Sequence, residues 1–276
     1  MYKILEKKIV NNDVEKIVVE APHIARNCKA GQFIIIMVEE DGERVPLTIA
    51  DYDREKKTIT LIYQKVGYST KLLGTKKVGD TIFALAGPLG KPVKHVENAK
   101  RILGIAGGVG AAPIYPQLKE YYKMGIKVDL ILGARNEKYL LLEDEFSKFI
   151  DNMYITTDDG SKGRKGFVTQ QLIELIESGN KYDEVIAIGP LIMMKFIVDI
   201  TKKYNIKTSV SLNPIMIDGT GMCGGCRLTY DGKTKFACVD GPDFDGFLVD
   251  FDELLSRQNM YKDIEEKHKC RLDETL

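Results

Sequence analysis

Between about residues 99 and 210 the chain alternates short apolar runs with stretches of helical length, and this alternation restricts its fold more than any other feature. The runs at 102–106, 128–132, 153–157 and 185–188 have the character of strands buried on both faces. Helical stretches lie between and after them, at about 112–124, 143–149, 168–178 and 191–204. Such alternation predicts an α/β doubly wound parallel sheet. Ligands of these sheets bind beyond the carboxyl ends of the strands. Glycine-rich segments fall at those ends: Gly107-Gly108 after the first strand, Gly133 after the second, Asp158-Asp159-Gly160 after the third and Gly189-Pro190 after the fourth. One such glycine means little, but four in register point to a single site.

The flanking segments read differently. Up to about residue 97, β-rich runs at 15–20, 33–38, 58–63 and 81–86 are broken by Asp41-Gly42, Gly67 and Gly87-Pro88, the pattern of a sandwich or small β-barrel. A further strand at 207–212 leads into a cysteine-bearing unit, and the chain from 250 onward reads as a polar helix and tail. The expected organisation is a β-barrel domain at 1–97, an α/β domain at 98–210, a cysteine segment at 211–250 and a C-terminal helix and tail at 251–276.

Composition excludes some partners. With 44% hydrophobic and 29% charged residues the chain is not expected to be disordered. A formal net charge of +0 gives no electrostatic case for nucleic acid. No apolar run approaches the roughly 18–20 residues of a membrane span. The first eight residues carry charges where a secretory signal is apolar, so a cytoplasmic protein is expected.

Three motifs carry chemistry. Ala106-Gly107-Gly108-Val109-Gly110-Ala111-Ala112-Pro113 is a glycine-rich turn opening a helix, where backbone N–H groups and the helix dipole can meet a phosphate. It departs from the dinucleotide fingerprint, because Pro113 stands in place of a third glycine, and alone it fits a plain strand-to-helix turn as well. Arg44-Val45-Pro46-Leu47-Thr48, with Tyr63 and Gly67-Tyr68-Ser69-Thr70, could hold a flavin and its pyrophosphate. Read alone, these residues are a strand with a proline at its edge and a turn.

The third motif is the most specific. Asp218, Cys223, Cys226 and Cys238 are separated by four, two and eleven residues, with Gly219, Gly221, Gly224 and Gly225 among them. Plant-type iron–sulfur clusters use C-x4-C-x2-C and a distant fourth cysteine. Here an aspartate takes the first position. The glycines let the loop wrap tightly while backbone N–H groups point at the sulfurs. Structural zinc normally shows two C-x-x-C knuckles and this chain has one, so an iron–sulfur cluster is favoured over zinc or three buried thiols. Cys28 and Cys270 stand apart, the first read as a small buried apolar residue and the second as a tail residue. His23, His95 and His268 lack partners at catalytic spacing and read as surface residues, and the acidic run Asp240, Asp243, Asp245, Asp250 and Asp252 reads as a solvated loop or, beside a cluster, as a face toward a partner.

In this order the three motifs resemble the ferredoxin reductase-like flavoproteins with a C-terminal [2Fe–2S] unit. That family includes the electron-transfer subunit of dihydroorotate dehydrogenase type B and the small subunit of the NADH-dependent reduced ferredoxin:NADP oxidoreductase, also known as a sulfide dehydrogenase subunit. Ala30-Gly31-Gln32-Phe33, the run from Ser211 to Arg227, and Phe236-Ala237-Cys238-Val239-Asp240-Gly241-Pro242 carry the resemblance, which extends over almost the whole chain and weakens in the tail. It implies FAD on Val45, Pro46, Leu47, Thr48, Ile62, Tyr63, Gln64, Ser69 and Thr70, with Gly67 in the turn. It implies NAD(H), or NADP(H), across Gly107, Gly108, Val109, Gly110, Gly133, Ala134, Arg135, Asp158, Asp159, Gly160, Gly189 and Pro190. The cluster ligands implied are Asp218, Cys223, Cys226 and Cys238.

The family's flavin box is Arg-x-Tyr-Ser. Here Leu47 replaces the tyrosine and Arg44 lies one residue early. Asp218 departs from the four cysteines of the dihydroorotate dehydrogenase subunit, which favours the bifurcating enzyme's small subunit. The resemblance implies a larger FAD and [4Fe–4S] partner subunit in a heterodimer or higher assembly, with ferredoxin reached indirectly. No acid–base residue is needed for such chemistry and none is assigned. The alternatives are the dihydroorotate dehydrogenase electron-transfer subunit and a zinc-stabilised nucleotide sensor.

Overall fold

The computed structural model describes residues 1–260. The expected helix and tail at 251–276 are therefore described only in part, and Cys270 and His268 lie outside the described residues.

The first half is an antiparallel barrel. Its strands are β1 (Tyr2–Ile9), β2 (Val14–Glu20), β3 (Phe33–Met37), β4 (Val45–Asp53), β5 (Thr58–Gln64), β6 (Thr81–Ile82) and β7 (Ala84–Leu89). They pair in the order β6-β1-β2-β5-β4-β3-β7. The two edges of this sheet are consecutive strands joined through Phe83, whose N–H reaches the Val38 carbonyl, so the sheet curls until its edges nearly meet. The single run expected at 81–86 is thus two strands, because the chain passes from one edge to the other there. Alternating residues of β2, β3 and β5 fill the interior with Ile17, Val19, Ile34, Ile36, Ile59, Leu61 and Tyr63. Two short helices, α1 (Pro22–Asn27) and α2 (Tyr68–Thr75), cover its ends, and Cys28 is buried there as expected.

The second half is the doubly wound sheet. Its elements are β8 (Arg101–Gly107), α3 (Ala111–Lys123), β9 (Lys127–Ala134), α4 (Glu143–Phe146), β10 (Asn152–Thr157), β11 (Arg164–Lys165), α5 (Val168–Glu177), β12 (Glu184–Ile188), α6 (Leu191–Lys203) and β13 (Thr208–Ser211). β8, β9 and β12 are almost wholly buried, which is why they read as continuous apolar runs. The strand order is β11-β10-β9-β8-β12-β13, all parallel. The order reverses direction between β8 and β12, and ligands of such sheets bind beyond the carboxyl ends of the strands at a switch point of this kind.

The cysteine-bearing unit contributes the hairpin β14 (Arg227–Tyr230) and β15 (Lys233–Phe236), the short helix α7 (Ala237–Asp240) and β16 (Asp243–Asp245). β16 then returns to the parallel sheet and pairs antiparallel with β13 at its edge. The last described helix is α8 (Phe251–Gln258), capped by the Asp250 carboxylate on the Glu253 N–H. One apolar cluster runs through all three units, from Phe33 and Ile35 of the barrel through Leu103 and Val210 to Cys226, Leu228 and Cys238. A second joins barrel residues Val14, Ala50 and Ile62 to α3 and the sheet. Among the described residues no helix is long and apolar enough to cross a membrane.

Candidate cofactor and cluster sites

The four glycine-rich segments meet at one end of the sheet. β8 ends at Gly107, a tight 3-10 turn spans Gly108–Gly110, and α3 begins at once. A Cβ at Gly110 would lie 2.1 Å from the Ile188 carbonyl oxygen, so only glycine lets this turn pack on the end of β12. A Cβ at Gly189 would lie 3.1 Å from the Gly107 Cα, which puts the Gly189-Pro190 turn directly against the first turn. Gly133 stands beside Gly107 in the β8–β9 register. The Asp158 N–H donates to the Ala134 carbonyl at 3.1 Å and the Asp159 N–H to that of Arg135 at 3.3 Å, joining the third segment to the second. Exposed Asp158, Asp159 and Gly160 form the outer lip. The Ser161 side chain beside Asp159 holds its carboxyl below the ordinary range. The Arg135 guanidinium lies 4.5 Å over the Tyr139 ring, which fixes it against its own loop.

Met193 was not anticipated. Its sulfur would be 2.6 Å from a Cβ on Gly107 and its methyl 2.6 Å from one on Gly189, so the side chain fills the saddle between the two turns. The only signal for it in the sequence is an apolar residue one helical turn beyond Gly189.

The barrel residues divide by strand parity. Val45, Pro46, Leu47 and Thr48 occupy the start of β4, half-buried, opposite Ile36, Ile35, Ile34 and Phe33 of β3. Tyr63 turns into the barrel, where its hydroxyl donates to Glu15 at 2.8 Å. That buried carboxylate also meets Lys7 at 3.1 Å and Lys65 at 3.2 Å. Ile62 takes the other face and packs in the cluster that includes Val109 of the glycine turn, so the barrel and sheet candidates adjoin there; Gln64 shares its parity. Thr70 closes the Gly67 turn by accepting the Val66 and Gly67 N–H groups at 3.1 and 3.2 Å. The Ser69 hydroxyl donates to Glu43 at 2.6 Å. What the segment leaves for a ligand is the first-turn N–H groups of α2, which have no carbonyl ahead of them in the helix. Arg44 is exposed.

In the cysteine unit, Cys226 and Cys238 are buried with their sulfurs 3.2 Å apart. Burial, and the adjacent Cys226 thiol, push Cys238 up to about 12, against the Gly221 amide, which favours the thiolate. Cys223 is exposed, and the Gly225 N–H points at its sulfur at 3.4 Å. The Asp218 carboxylate accepts the Thr220 and Cys223 N–H groups, each at 2.7 Å, and these bonds lower its pKa, the Thr220 bond most. Among the described residues no three such side chains stand grouped for a metal ion. The donor set nonetheless fits an iron–sulfur cluster: two soft sulfurs are adjacent, a third stands on the same loop with an amide aimed at it, and Gly219, Gly221 and Gly224 of the loop have positive φ.

Two expectations need correction. His95 is half-buried, packed edge-on to Tyr121 with ring centroids 4.8 Å apart and with Nε2 3.2 Å from Glu120. The acidic run is not a solvated loop. Asp240 accepts the Phe236 N–H, Asp245 and Asp250 cap turns, and Asp243 lies at the seam between units, accepting from Gln117 at 3.2 Å. These aspartates each have a local backbone or side-chain donor, which spacing alone does not reveal. A cavity of about 320 Å³ lies beside Asp243, lined also by Glu184, Lys207 and Tyr230. It opens at the amino end of β12, away from the glycine turns.

Comparison with known proteins accounts for these parts together. Residues 105–199 match the oxidoreductase NAD-binding domain, and residues 213–250 match the iron–sulfur cluster binding domain of dihydroorotate dehydrogenase B. An uncharacterized protein of the adh 3′ region of Clostridium beijerinckii is 51% identical over 99% of this chain and 95% of its own length. A Thermotoga maritima homologue of the dihydroorotate dehydrogenase B (NAD(+)) electron transfer subunit is 44% identical over 95% of this chain and 92% of its own. A chain of the NADH-dependent reduced ferredoxin–NADP oxidoreductase, solved for insight into flavin-based electron bifurcation, superposes with a TM-score of 0.92 at 42% identity, covering 99% of this chain and 98% of that one. A barrel, a parallel sheet with glycine-tipped strands and a cysteine unit, matched end to end by these relatives, make this chain a member of the ferredoxin reductase-like family of oxidoreductase subunits that carry an iron–sulfur-binding domain.

Proposed function

We propose that the chain is the electron-transfer flavoprotein subunit of an electron-bifurcating ferredoxin:NADP oxidoreductase, moving electrons between NAD(H), FAD and a [2Fe–2S] cluster to or from a larger flavin and iron–sulfur subunit. The observation that carries this reading is the full-length match, at 42% identity, to a chain of the NADH-dependent reduced ferredoxin–NADP oxidoreductase.

The residues have distinct tasks in this reading. The Gly107–Gly110 turn, Gly133 to Arg135, Asp158 to Gly160 and Gly189-Pro190 hold the dinucleotide, with the amides at the start of α3 facing its phosphates. Val45 to Thr48, the Ile62–Gln64 segment and the first turn of α2 hold FAD. Asp218, Cys223, Cys226 and Cys238 hold the cluster. A bound flavin exchanges electron pairs with a nicotinamide and single electrons with an iron–sulfur centre, and the protein supplies position rather than a proton. The site of action is the cytoplasm.

A second reading, the dihydroorotate dehydrogenase B electron-transfer subunit, draws support from the Thermotoga maritima relative and from the match over 213–250. Native co-purification under anaerobic conditions separates the two. The expected result is a brown complex with FAD, one [2Fe–2S] cluster per copy of this chain, and a larger flavin and [4Fe–4S] subunit. A dihydroorotate-oxidising partner supports the second reading, and zinc without flavin excludes both.

A further inference from the structure

The cysteine loop meets the barrel through Gly219. This residue is buried, its φ is +76°, and it follows Asp218 directly. A Cβ there would stand 2.7 Å from Leu89 Cδ1 and 2.9 Å from Ile35 Cγ1. Leu89 ends β7 and Ile35 lies in the middle of β3. β3 is flanked on its other side by β4, where Pro46 stands opposite Ile35. The loop therefore rests on a side chain whose strand partner belongs to the candidate flavin segment. The far end of the cysteine unit is tied to the same side of the barrel, since the Lys91 N–H donates to the Gly241 carbonyl at 2.6 Å.

Other glycines of the loop lack this contact. A Cβ at Gly221 (φ +88°) would meet Val239 of its own unit at 3.2 Å, and one at Gly224 (φ +67°) would meet only Phe236, at 3.9 Å. All three need glycine for backbone conformation. Gly219 alone of the three is also pressed against another domain, where Ile35 belongs to the packed core and cannot give way.

We propose that Gly219 is a positioning residue: its missing side chain sets how closely the cysteine loop seats on β3 and β7, and so the gap that electrons cross between flavin segment and cluster. The second half of this statement rests on the function proposed above. Electron transfer between fixed centres falls steeply with separation, so a seat lifted by several tenths of an ångström slows that crossing and nothing upstream of it.

The test compares Gly219→Ala with Gly224→Ala, which imposes similar backbone strain with no barrel contact. In cluster-loaded protein, stopped-flow absorbance follows NADH-driven bleaching of the flavin and reduction of the cluster separately. Gly219→Ala is expected to leave flavin bleaching at the wild-type rate and to slow cluster reduction by about twofold. Leu89→Ala in that background makes room for the new methyl and restores part of the rate. Gly224→Ala is expected to reduce cluster loading and to leave flavin bleaching at the wild-type rate, its loaded fraction being slowed less than that of Gly219→Ala. Unfolding of the Gly219→Ala and Leu89→Ala pair, measured as a double-mutant cycle, is expected to be non-additive. Wild-type cluster reduction in Gly219→Ala, equal slowing in Gly224→Ala, or an additive cycle overturns the proposal. Wild-type protein that binds neither flavin nor cluster overturns the proposed function instead, and the cycle still reports on the seat.

Discussion

The glycine-tipped sheet and the cysteine loop both depend on glycine, for opposite reasons. At the sheet end, Gly107, Gly110, Gly133 and Gly189 sit where neighbouring atoms leave no room for a Cβ, with contacts of 2.1–2.6 Å. The core behind them is largely apolar and buried, so packing shapes the site before any ligand arrives. In the loop, Gly224 has space around it and Gly221 meets only the Val239 side chain of its own unit, at 3.2 Å, but both have positive φ. Its shape comes from two amides on Asp218, one on the Cys223 sulfur, and the seat at Gly219. One site is therefore preformed by the fold, while the other leans on its own ligands.

The sharpest test of that contrast is to remove the cluster. Cys238→Ser takes away a buried ligand and is expected to abolish the visible absorption of the cluster. Amide exchange should rise across residues 213–240 and stay unchanged in β8, β9 and β12. Exchange that rises equally in the parallel sheet would break the comparison. Asp218 offers a graded version. A carboxylate is ionised near neutrality without help, with a reference pKa of about 3.9 against about 8.5 for a thiol. It matches a thiolate in charge while presenting a harder donor, so Asp218→Cys should keep a cluster with a shifted potential and spectrum. Asp218→Ala should leave the cluster labile. If Asp218→Ala changes neither spectrum, potential nor stability, Asp218 only caps the loop through the Thr220 and Cys223 amides.

The preformed site fails differently. Gly110→Ala drives a Cβ to within 2.1 Å of the Ile188 carbonyl oxygen, a backbone atom at the end of a buried strand. Neither side can yield, so a global destabilisation of roughly 2–4 kcal/mol is expected. Thermal melting and NADH titration should show a lower Tm and weakened binding together. A variant with unchanged Tm and lost binding would mean that the turn is shaped by the ligand rather than by the core.

The same contrast decides what could be read in advance. The parallel sheet was legible because its strands are buried on both faces and its glycines recur at the same point of each unit. Element by element the expected runs agree with β8, β9, β10 and β12 to within two residues at either end. The short β runs between turns made a barrel legible, but not the crossing at Phe83 that brings its edges together, which periodicity does not mark. Nor was the return of β16 to the sheet edge. That strand is three residues of alternating aspartate and phenylalanine, too short and too acidic to carry a pattern. In the candidate site, spacing found Cys226 and Cys238, but it gave no hint that Met193 fills the saddle between two turns or that Gly219 touches Leu89. Such contacts join residues distant in the chain, and only packing reveals them.

The smallest effect concerns the seam where the two regions join. Asp243 sits on β16, with Gln117 of α3 donating to Oδ2 at 3.2 Å, Ser211 of β13 beside it, and the Glu184 carboxylate facing it. Oδ1 is buried without a partner. Burial, the largest influence, pushes its carboxyl up from 3.8 to about 6. Between those values the folded protein holds a proton that the unfolded chain has released, so this group's contribution makes stability fall as pH rises from about 4 to 6. Above that range the full cost of the buried charge remains, and below it the cost is absent. Asp243→Asn removes the charge and keeps an acceptor for Gln117, though its new N–H groups gain no assured partner at the position of Oδ1. A net stabilisation on the order of 1 kcal/mol is therefore expected at pH 7, reversing to a net destabilisation near pH 4, where Asp243 is protonated and only the cost of the unpartnered Asn N–H groups remains. Urea unfolding of the two proteins at pH 4, 5.5 and 7 measures it. A difference that does not change with pH would show that Asp243 keeps its ordinary acidity at the seam, and that the cysteine unit joins the sheet without burying a charge.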